Sequence, residues 1–233
     1  MIFITGDVHC DYDVHKLNTR NWPKQKELTK NDYLIVCGDM GIVWSYPDGK
    51  RYNEDKYWQK WFSGRNFVTL FVDGNHENHD MLNNYEVECW NGGKVHKIAD
   101  DVYHLMRGQV YDIEGNKVFT MGGASSHDMH LRKEDRDWWK EELPSDAEYE
   151  EAISNLEKCN YAVDLIITHC APDEVQRIIG YWMEKDKLTN FLEVVVRQGV
   201  DFDKWYFGHY HVDRNLGKYR AIYDDIVEYV KGE

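Results

Sequence analysis

Five short apolar runs in this chain each stop abruptly at a glycine, an acid or a histidine. Ile2-Phe3-Ile4 runs into Gly6-Asp7-Val8-His9, and Tyr33-Leu34-Ile35-Val36-Cys37 into Gly38-Asp39. Val68-Thr69-Leu70-Phe71-Val72 runs into Asp73-Gly74-Asn75-His76. Leu165-Ile166-Ile167-Thr168 ends at His169, and Trp205-Tyr206-Phe207 at Gly208-His209-Tyr210-His211. Continuous β-branched and aromatic runs of this length read as strands buried on both faces. The first three are separated by spacers that fit strand-helix-strand units, which take roughly 30 residues. Ligands of α/β sheets collect beyond the carboxyl ends of such strands, where these polar residues fall.

Between the runs, residues 53–63 place Tyr57, Trp58, Trp61 and Phe62 on one helical face, with Asn53 as cap and Gly64 as stop. Residues 146–159 and 184–198 also read as helices, the second with Leu188, Leu192, Val195 and Val196 along one side. From Lys94 to Met121 the apolar residues come in short pieces broken by Gly108 and Glu114-Gly115-Asn116, a pattern of antiparallel hairpins. The tail from Tyr219 to Val230 reads as a last strand, and the acidic stretch from Glu134 to Glu151 as a solvated helix face. With 233 residues, four prolines and no linker or repeat, one α/β domain with two packed sheets is expected.

Seven residues at the strand ends form a candidate ligand set: Asp7, His9, Asp39, Asn75, His169, His209 and His211. Mixed oxygen and imidazole donors suit Mn, Fe, Zn, Co or Ni and differ from the all-oxygen cage of calcium. Seven donors exceed what one tetrahedral ion takes and match two ions sharing a carboxylate. A pair of ions about 3.5–4 Å apart can grip a phosphoryl group and generate hydroxide near neutral pH. Asp11, Asp13 and His15 also have ligand-like spacing, but they read as solvated loop or cap residues. His79, His96, His104, His127 and His130 read as lying outside the ligand set, and Trp138-Trp139 as packing.

Composition narrows the partners. Acidic residues number 42 against 28 basic, a net charge of −14, which argues against binding duplex nucleic acid through its phosphates. A small phosphorylated substrate stays compatible, because bound divalent cations reverse the local sign. The cysteines, at 10, 37, 89, 159 and 170, have neither zinc-knuckle nor CxxC spacing, and Cys37 reads as a buried thiol. With no signal-like N-terminus and no apolar stretch near the length of a membrane span, a reducing cytoplasm is the expected location. Oligomeric state has no signal in the sequence.

In order and spacing, Gly6-Asp7-Val8-His9, Gly38-Asp39, Gly74-Asn75-His76-Glu77, Thr168-His169 and Gly208-His209-Tyr210-His211 resemble the five motifs of the calcineurin-like metallophosphoesterase superfamily. The resemblance implies a four-layer α/β/β/α sandwich of two mixed β-sheets flanked by helices, with a dimetal site at the strand C-terminal ends. It implies a single domain over residues 1–233, with an insertion or cap at about 122–150. It also implies roles: Asp7, His9 and His211 on one ion, Asn75, His169 and His209 on the other, and Asp39 bridging. The implied activity is hydrolysis of a phosphomonoester or phosphodiester by metal-bound hydroxide, with Asp39 and His76 as catalytic residues and His76 as the acid. The alternatives are a nuclease of the same superfamily and a non-catalytic metal-binding scaffold.

One departure from the pattern matters. Protein Ser/Thr phosphatases of the superfamily carry an Asp-Arg pair in the second motif, whereas Asp39 is followed by Met40-Gly41. The segment Gly122-Gly123-Ala124-Ser125-Ser126-His127-Asp128, with Arg132 and Trp138-Trp139 after it, resembles small phage- and bacterium-associated members. Arg132, with Asn75 and His76, is the expected phosphate contact, and Arg136 a weaker candidate, since guanidinium geometry suits phosphate. Specificity is expected from residues 40–52, 122–145 and 171–185.

Overall fold

A computed structural model describes residues 1–49, 51–180 and 185–232. The chain runs β1 (Ile2–Thr5), β2 (Tyr33–Val36), α1 (Tyr52–Ser63), β3 (Val68–Phe71), α2 (His79–Asn83), β4 (Val87–Trp90), β5 (Gly93–Ala99), β6 (Val102–Leu105), β7 (Gln109–Ile113) and β8 (Asn116–Met121). It continues through α3 (Asp146–Lys158), β9 (Leu165–Thr168), α4 (Asp173–Ile179), α5 (Lys187–Arg197), β10 (Lys204–Phe207), β11 (Arg214–Leu216), β12 (Tyr219–Ala221) and β13 (Ile226–Tyr229).

Among the described residues the strands form a seven-stranded sheet, β13-β1-β2-β3-β6-β5-β4, and a six-stranded sheet, β11-β12-β10-β9-β8-β7. The period-2 rule decides what each strand buries where. Ile2 and Ile4 of β1 meet Leu165 and Ile167 of β9 between the sheets. Phe3 instead faces outward with Leu34, Val36 and Phe62 of α1. On the other sheet, Ile166, Trp205 and Phe207 face α3, α4 and α5 through Ala152, Leu156, Val175, Leu188 and Leu192. The result is the four-layer α/β/β/α sandwich of two mixed sheets. Each fully buried Ile or Leu on these faces contributes about 1.5–3 kcal/mol.

Strands β1, β2, β3 and β6 run parallel, as do β8, β9, β10 and β12. The carboxyl ends of β1, β2, β3, β9 and β10 therefore open on one edge of the sandwich.

Several local expectations are corrected. The connection from β1 to β2 holds only two 3-10 turns, Val14–Leu17 and Pro23–Glu27, in place of an α-helix. Helix α1 starts at Arg51 with no side-chain cap, and Asn53 lies inside it. Its buried positions are Asp55, Gln59 and Phe62, while Tyr57 is exposed. The reason is polar: Asp55 accepts the N–H groups of Trp44 and Ser45, and Gln59 donates to the Ile42 carbonyl.

The hairpins from Lys94 to Met121 divide between the two sheets, and the tail from Tyr219 supplies two short strands, β12 and β13. The acidic stretch 134–151 is not one solvated helix face. It contains the 3-10 turn Lys140–Glu142 and the buried residues Trp139 and Glu142, and helix begins only at Asp146 behind a Ser145–Glu148 capping box. Helix α5 starts at Lys187 behind Asp186, and residue 184 of the expected helix lies outside the described residues. Cys37 is fully buried, and no helix among the described residues is long and apolar enough to cross a membrane.

Candidate metal centre

All seven expected ligands gather at the common edge. Asp7 and His9 follow β1, Asp39 follows β2, Asn75 follows β3, His169 follows β9, and His209 and His211 follow β10. Asp7 and His169 are fully buried, and Asp39 and Asn75 nearly so. His9, Asp39, His209 and His211 have φ values of 43°, 48°, 66° and 49°. For non-glycine residues this left-handed backbone is strained, and strain of this kind clusters at functional sites.

Two glycines allow the carboxylates to be this crowded. A Cβ on Gly74 would stand 2.1 Å from Asp39 Oδ1, and one on Gly208 would stand 2.1 Å from Asp7 Oδ1. In return, backbone groups orient both acids: His76 N–H donates to Asp39 Oδ1 at 2.8 Å, and His209 N–H to Asp7 Oδ1 at 2.9 Å.

The hydrogen-bond ledger tests whether cations fit. His169 Nδ1 donates to the Cys37 carbonyl at 2.7 Å, so Nε2 is the nitrogen that, once deprotonated, offers a lone pair to the site. That lone pair faces Asp39 Oδ2 and Asn75 Oδ1, each at 3.3 Å. Asn75 has its amide nitrogen committed to Ser126 Oγ at 3.2 Å, so it offers the site only oxygen. His9 repeats the arrangement: Nδ1 donates to Asp13 Oδ2 at 2.7 Å, and Nε2 faces Asp39 Oδ2 at 3.2 Å. His211 Nε2 approaches Asp7 Oδ2 at 3.0 Å. Acceptors facing acceptors in a buried site require positive charge between them.

Where no ion is bound, protons on the imidazoles supply that charge. Burial alone would lower the imidazole of His169, but Asp39 and Asp7 outweigh it and raise its pKa to about 10. The His9 imidazole rises against burial to about 9 through Asp39, Asp7 and Asp13. His209 goes the other way, to about 3, lowered by burial and by the charge of His169. Burial and Asp39 together push the Glu77 carboxyl to about 8, although Gly74 N–H donates to it.

Asp7, His9 and His211 bring one donor atom each within 4.8 Å of one another, and so do Asp7, Asp39 and His169. His76 forms a third such group with His9 and Asp39.

A family model for calcineurin-like phosphoesterases matches residues 1–213. The chain belongs to that family. It is a metal-dependent phosphoester hydrolase in kind, with clusters of Asp and His able to hold divalent metal. No curated protein matches the chain.

Around the centre of this phosphoesterase, a cavity of about 370 Å³ is lined by Asp39, Asn75, His76, His127, Arg132 and His211 among others. Arg132 reaches it with its Nε held by Asp128 Oδ1 at 2.7 Å. Arg136 is exposed and pairs with Asp137. A second cavity of about 520 Å³ adjoins the first and shares His127, His209 and Tyr210 with it. Its remaining lining comes from Ala124, Ser125, Ser126, Met129, Cys170, Gln176, Lys185, Asp186 and Thr189. Of the stretches expected to carry specificity, residues 50 and 181–184 lie outside the described residues.

The reading of Asp13 as a solvated loop or cap residue is corrected. Its side chain is only 15% exposed, and it caps nothing at the Val14–Leu17 turn. Its four-residue offset from His9 was the available signal. His79, His96 and His104 cluster around the buried Asp73 instead of the metal centre. Trp139 is fully buried, packs edge-on against Trp44 and donates Nε1–H to Asp80.

Proposed function

We propose that the chain hydrolyses a phosphomonoester or phosphodiester of a small molecule at a two-metal centre. Asp7, His9 and His211 would hold one ion and Asn75, His169 and His209 the other, with Asp39 shared between them. The observation that carries this reading is Asp39 Oδ2, which stands 3.2 Å from His9 Nε2 and 3.3 Å from His169 Nε2. One oxygen between two imidazole lone pairs is what a shared carboxylate needs. The mixed O/N donors suit Mn, Fe, Zn, Co or Ni. When bound, such ions polarise the phosphoryl group and activate water.

The chain's own residues do the rest. Arg132 sets a guanidinium, oriented by Asp128, at the mouth, where it binds a non-bridging phosphate oxygen in place of the arginine absent after Asp39. His76 is partly buried beside Asp39 and donates a proton to the leaving oxygen. Burial lowers its pKa, an effect that Asp39 opposes. The adjoining cavity takes the organic substituent of the ester. The segment 122–145, which carries His127, Asp128 and Arg132, acts as a cap inserted between β8 and α3 in a single domain.

The test is hydrolysis of an aryl phosphate and a bis-aryl phosphate by full-length protein reloaded with Mn or Zn after chelation. Turnover should require metal and should fall at least about 100-fold in Asp39→Asn, and His76→Gln should lose as much on an alkyl phosphate. Metal-loaded protein with no turnover, or turnover indifferent to both substitutions, would overturn the reading.

A further inference from the structure

Tyr223 lies beyond the residues matched by the family model, yet it reaches two of the histidines at the metal centre. Its ring stacks on His211, with centroids 4.6 Å apart and planes 14° from parallel. Its hydroxyl donates to Asp13 Oδ1 at 2.9 Å, and the other oxygen of that carboxylate takes the Nδ1–H of His9 at 2.7 Å.

We propose that Asp13 and Tyr223 are positioning residues that together set the affinity of the ion held by Asp7, His9 and His211. The inference rests on the two-metal reading and adds to it a device specific to one of the two ions. The carboxylate fixes the tautomer and rotation of His9, so that Nε2 points inward. The phenol ring stacks on one face of His211, whose half-exposed side chain meets Asp7 Oδ2 at 3.0 Å with Nε2. Groups that orient a ligating imidazole through its far side raise metal affinity, typically by about 10–100-fold.

Tyr223 is itself held firmly. Asp213 accepts the N–H groups of Tyr223, Asp224 and Asp225 at 2.8, 3.1 and 3.2 Å. The buried ammonium of Lys16 donates to the Tyr223 carbonyl and also to the carbonyls of Gly6, at 3.2 Å, and Asp7, at 2.6 Å. The tail is thus tied to the strand end that carries Asp7, and the tyrosine is aimed by backbone bonds. A purely local role for Asp13 fails on geometry, since its side chain makes no cap bond to the turn it precedes.

The experiment is titration of chelated, full-length protein with Mn(II), followed by calorimetry and by the electron paramagnetic resonance of free Mn. Wild type should bind two ions. Asp13→Ala should raise one dissociation constant by about 10–100-fold and leave the other within about threefold of wild type. Tyr223→Leu should weaken the same ion. Tyr223→Phe, which keeps the stack and loses the hydroxyl, should weaken it less. Melting curves of the chelated proteins check folding, because a merely structural role would lower the melting temperature and both affinities together.

Variants that bind two ions with wild-type constants would overturn the inference while leaving the proposed function intact, and so would equal weakening of both ions. A wild type that binds no ion would overturn both.

Discussion

Arg107 grips one carboxylate oxygen of Asp73 with two nitrogens, Nε at 2.9 Å and Nη2 at 2.5 Å from Oδ2. Both residues are buried, and His104 Nε2 stands 3.1 Å from the other oxygen. Burial would raise the Asp73 carboxyl, but Arg107 and His104 hold it far below the usual range. The pair also fastens the segment between β8 and α3. Arg107 Nη2 donates to the Glu141 carbonyl at 2.7 Å, and the Asp73 carbonyl accepts Gly123 N–H at 2.8 Å. Asn75 and His76 follow Asp73 after Gly74, so one ion pair ties the segment that carries Arg132 to the strand end that carries the centre.

Arg107→Met should therefore destabilise the protein by about 3–5 kcal/mol, because it strands a buried carboxylate. Adding Asp73→Asn should recover part of that loss, since the uncompensated charge goes with it. Urea melts of the two single variants and the double variant measure the coupling. A single-variant cost below about 1 kcal/mol would mean that the pair is electrostatically idle.

Gly74→Ala and Gly208→Ala should each abolish binding of at least one metal ion. Neither glycine has positive φ, so the cost is steric and falls on Asp39 and Asp7, whose Oδ1 atoms would lie 2.1 Å from the new methyl. Gly115→Ala is the control. Its φ is +75° but nothing lies within 4 Å, so it should lose about 1–2 kcal/mol of stability and keep its metal. Metal counting on purified protein decides the matter, and two full-occupancy ions in Gly208→Ala would contradict it.

His76→Gln should keep both ions and lower kcat by about 10²–10⁴-fold on an alkyl phosphate. On a nitrophenyl ester the loss should be much smaller, because that leaving group departs without a proton. Equal losses on both esters would remove His76 from the role of acid and leave it as a phosphate contact or a ligand, a place its proximity to His9 and Asp39 permits.

The sandwich was legible because its central strands are buried on both faces, and such strands are continuously apolar in sequence. The strand-end residues were legible because crowding two buried carboxylates demands glycines beside them, and Gly-Asp, Gly-Asn and Gly-His repeat along the chain. What escaped was long-range or polar. Asp73 and Arg107 are paired across two strands and belong to no local pattern. Tyr223 lies in a tail that reads as a last strand, and nothing local links it to histidines a dozen and more residues away. Helix α1 packs Trp58, Trp61 and Phe62 against the core as the pattern suggests, but it also buries Asp55 and Gln59, which satisfy loop backbone, an advantage that hydrophobic periodicity does not register. The first crossover closed with 3-10 turns because Lys16, Leu17 and Trp22 bury side chains there without a regular helix.

Glu142 makes the cap's stability depend on pH. Its Oε2 accepts Ser126 N–H at 3.0 Å, while Oε1 is buried without a partner. Burial outweighs the bonds from Ser126 and raises the carboxyl to about 7. A carboxyl raised in the folded state binds its proton more tightly folded than unfolded. Its favourable contribution is full below the unfolded value of about 4.5 and is lost as pH rises through about 7. Between pH 5 and pH 8 wild type should thus lose more stability than Glu142→Gln, by on the order of 2 kcal/mol. Every other group titrates alike in the two proteins, so the difference between their urea melts at the two pH values isolates this carboxyl. If the two proteins kept parallel stabilities across that range, the Glu142 carboxyl would be ionised throughout and the predicted pH dependence would be refuted.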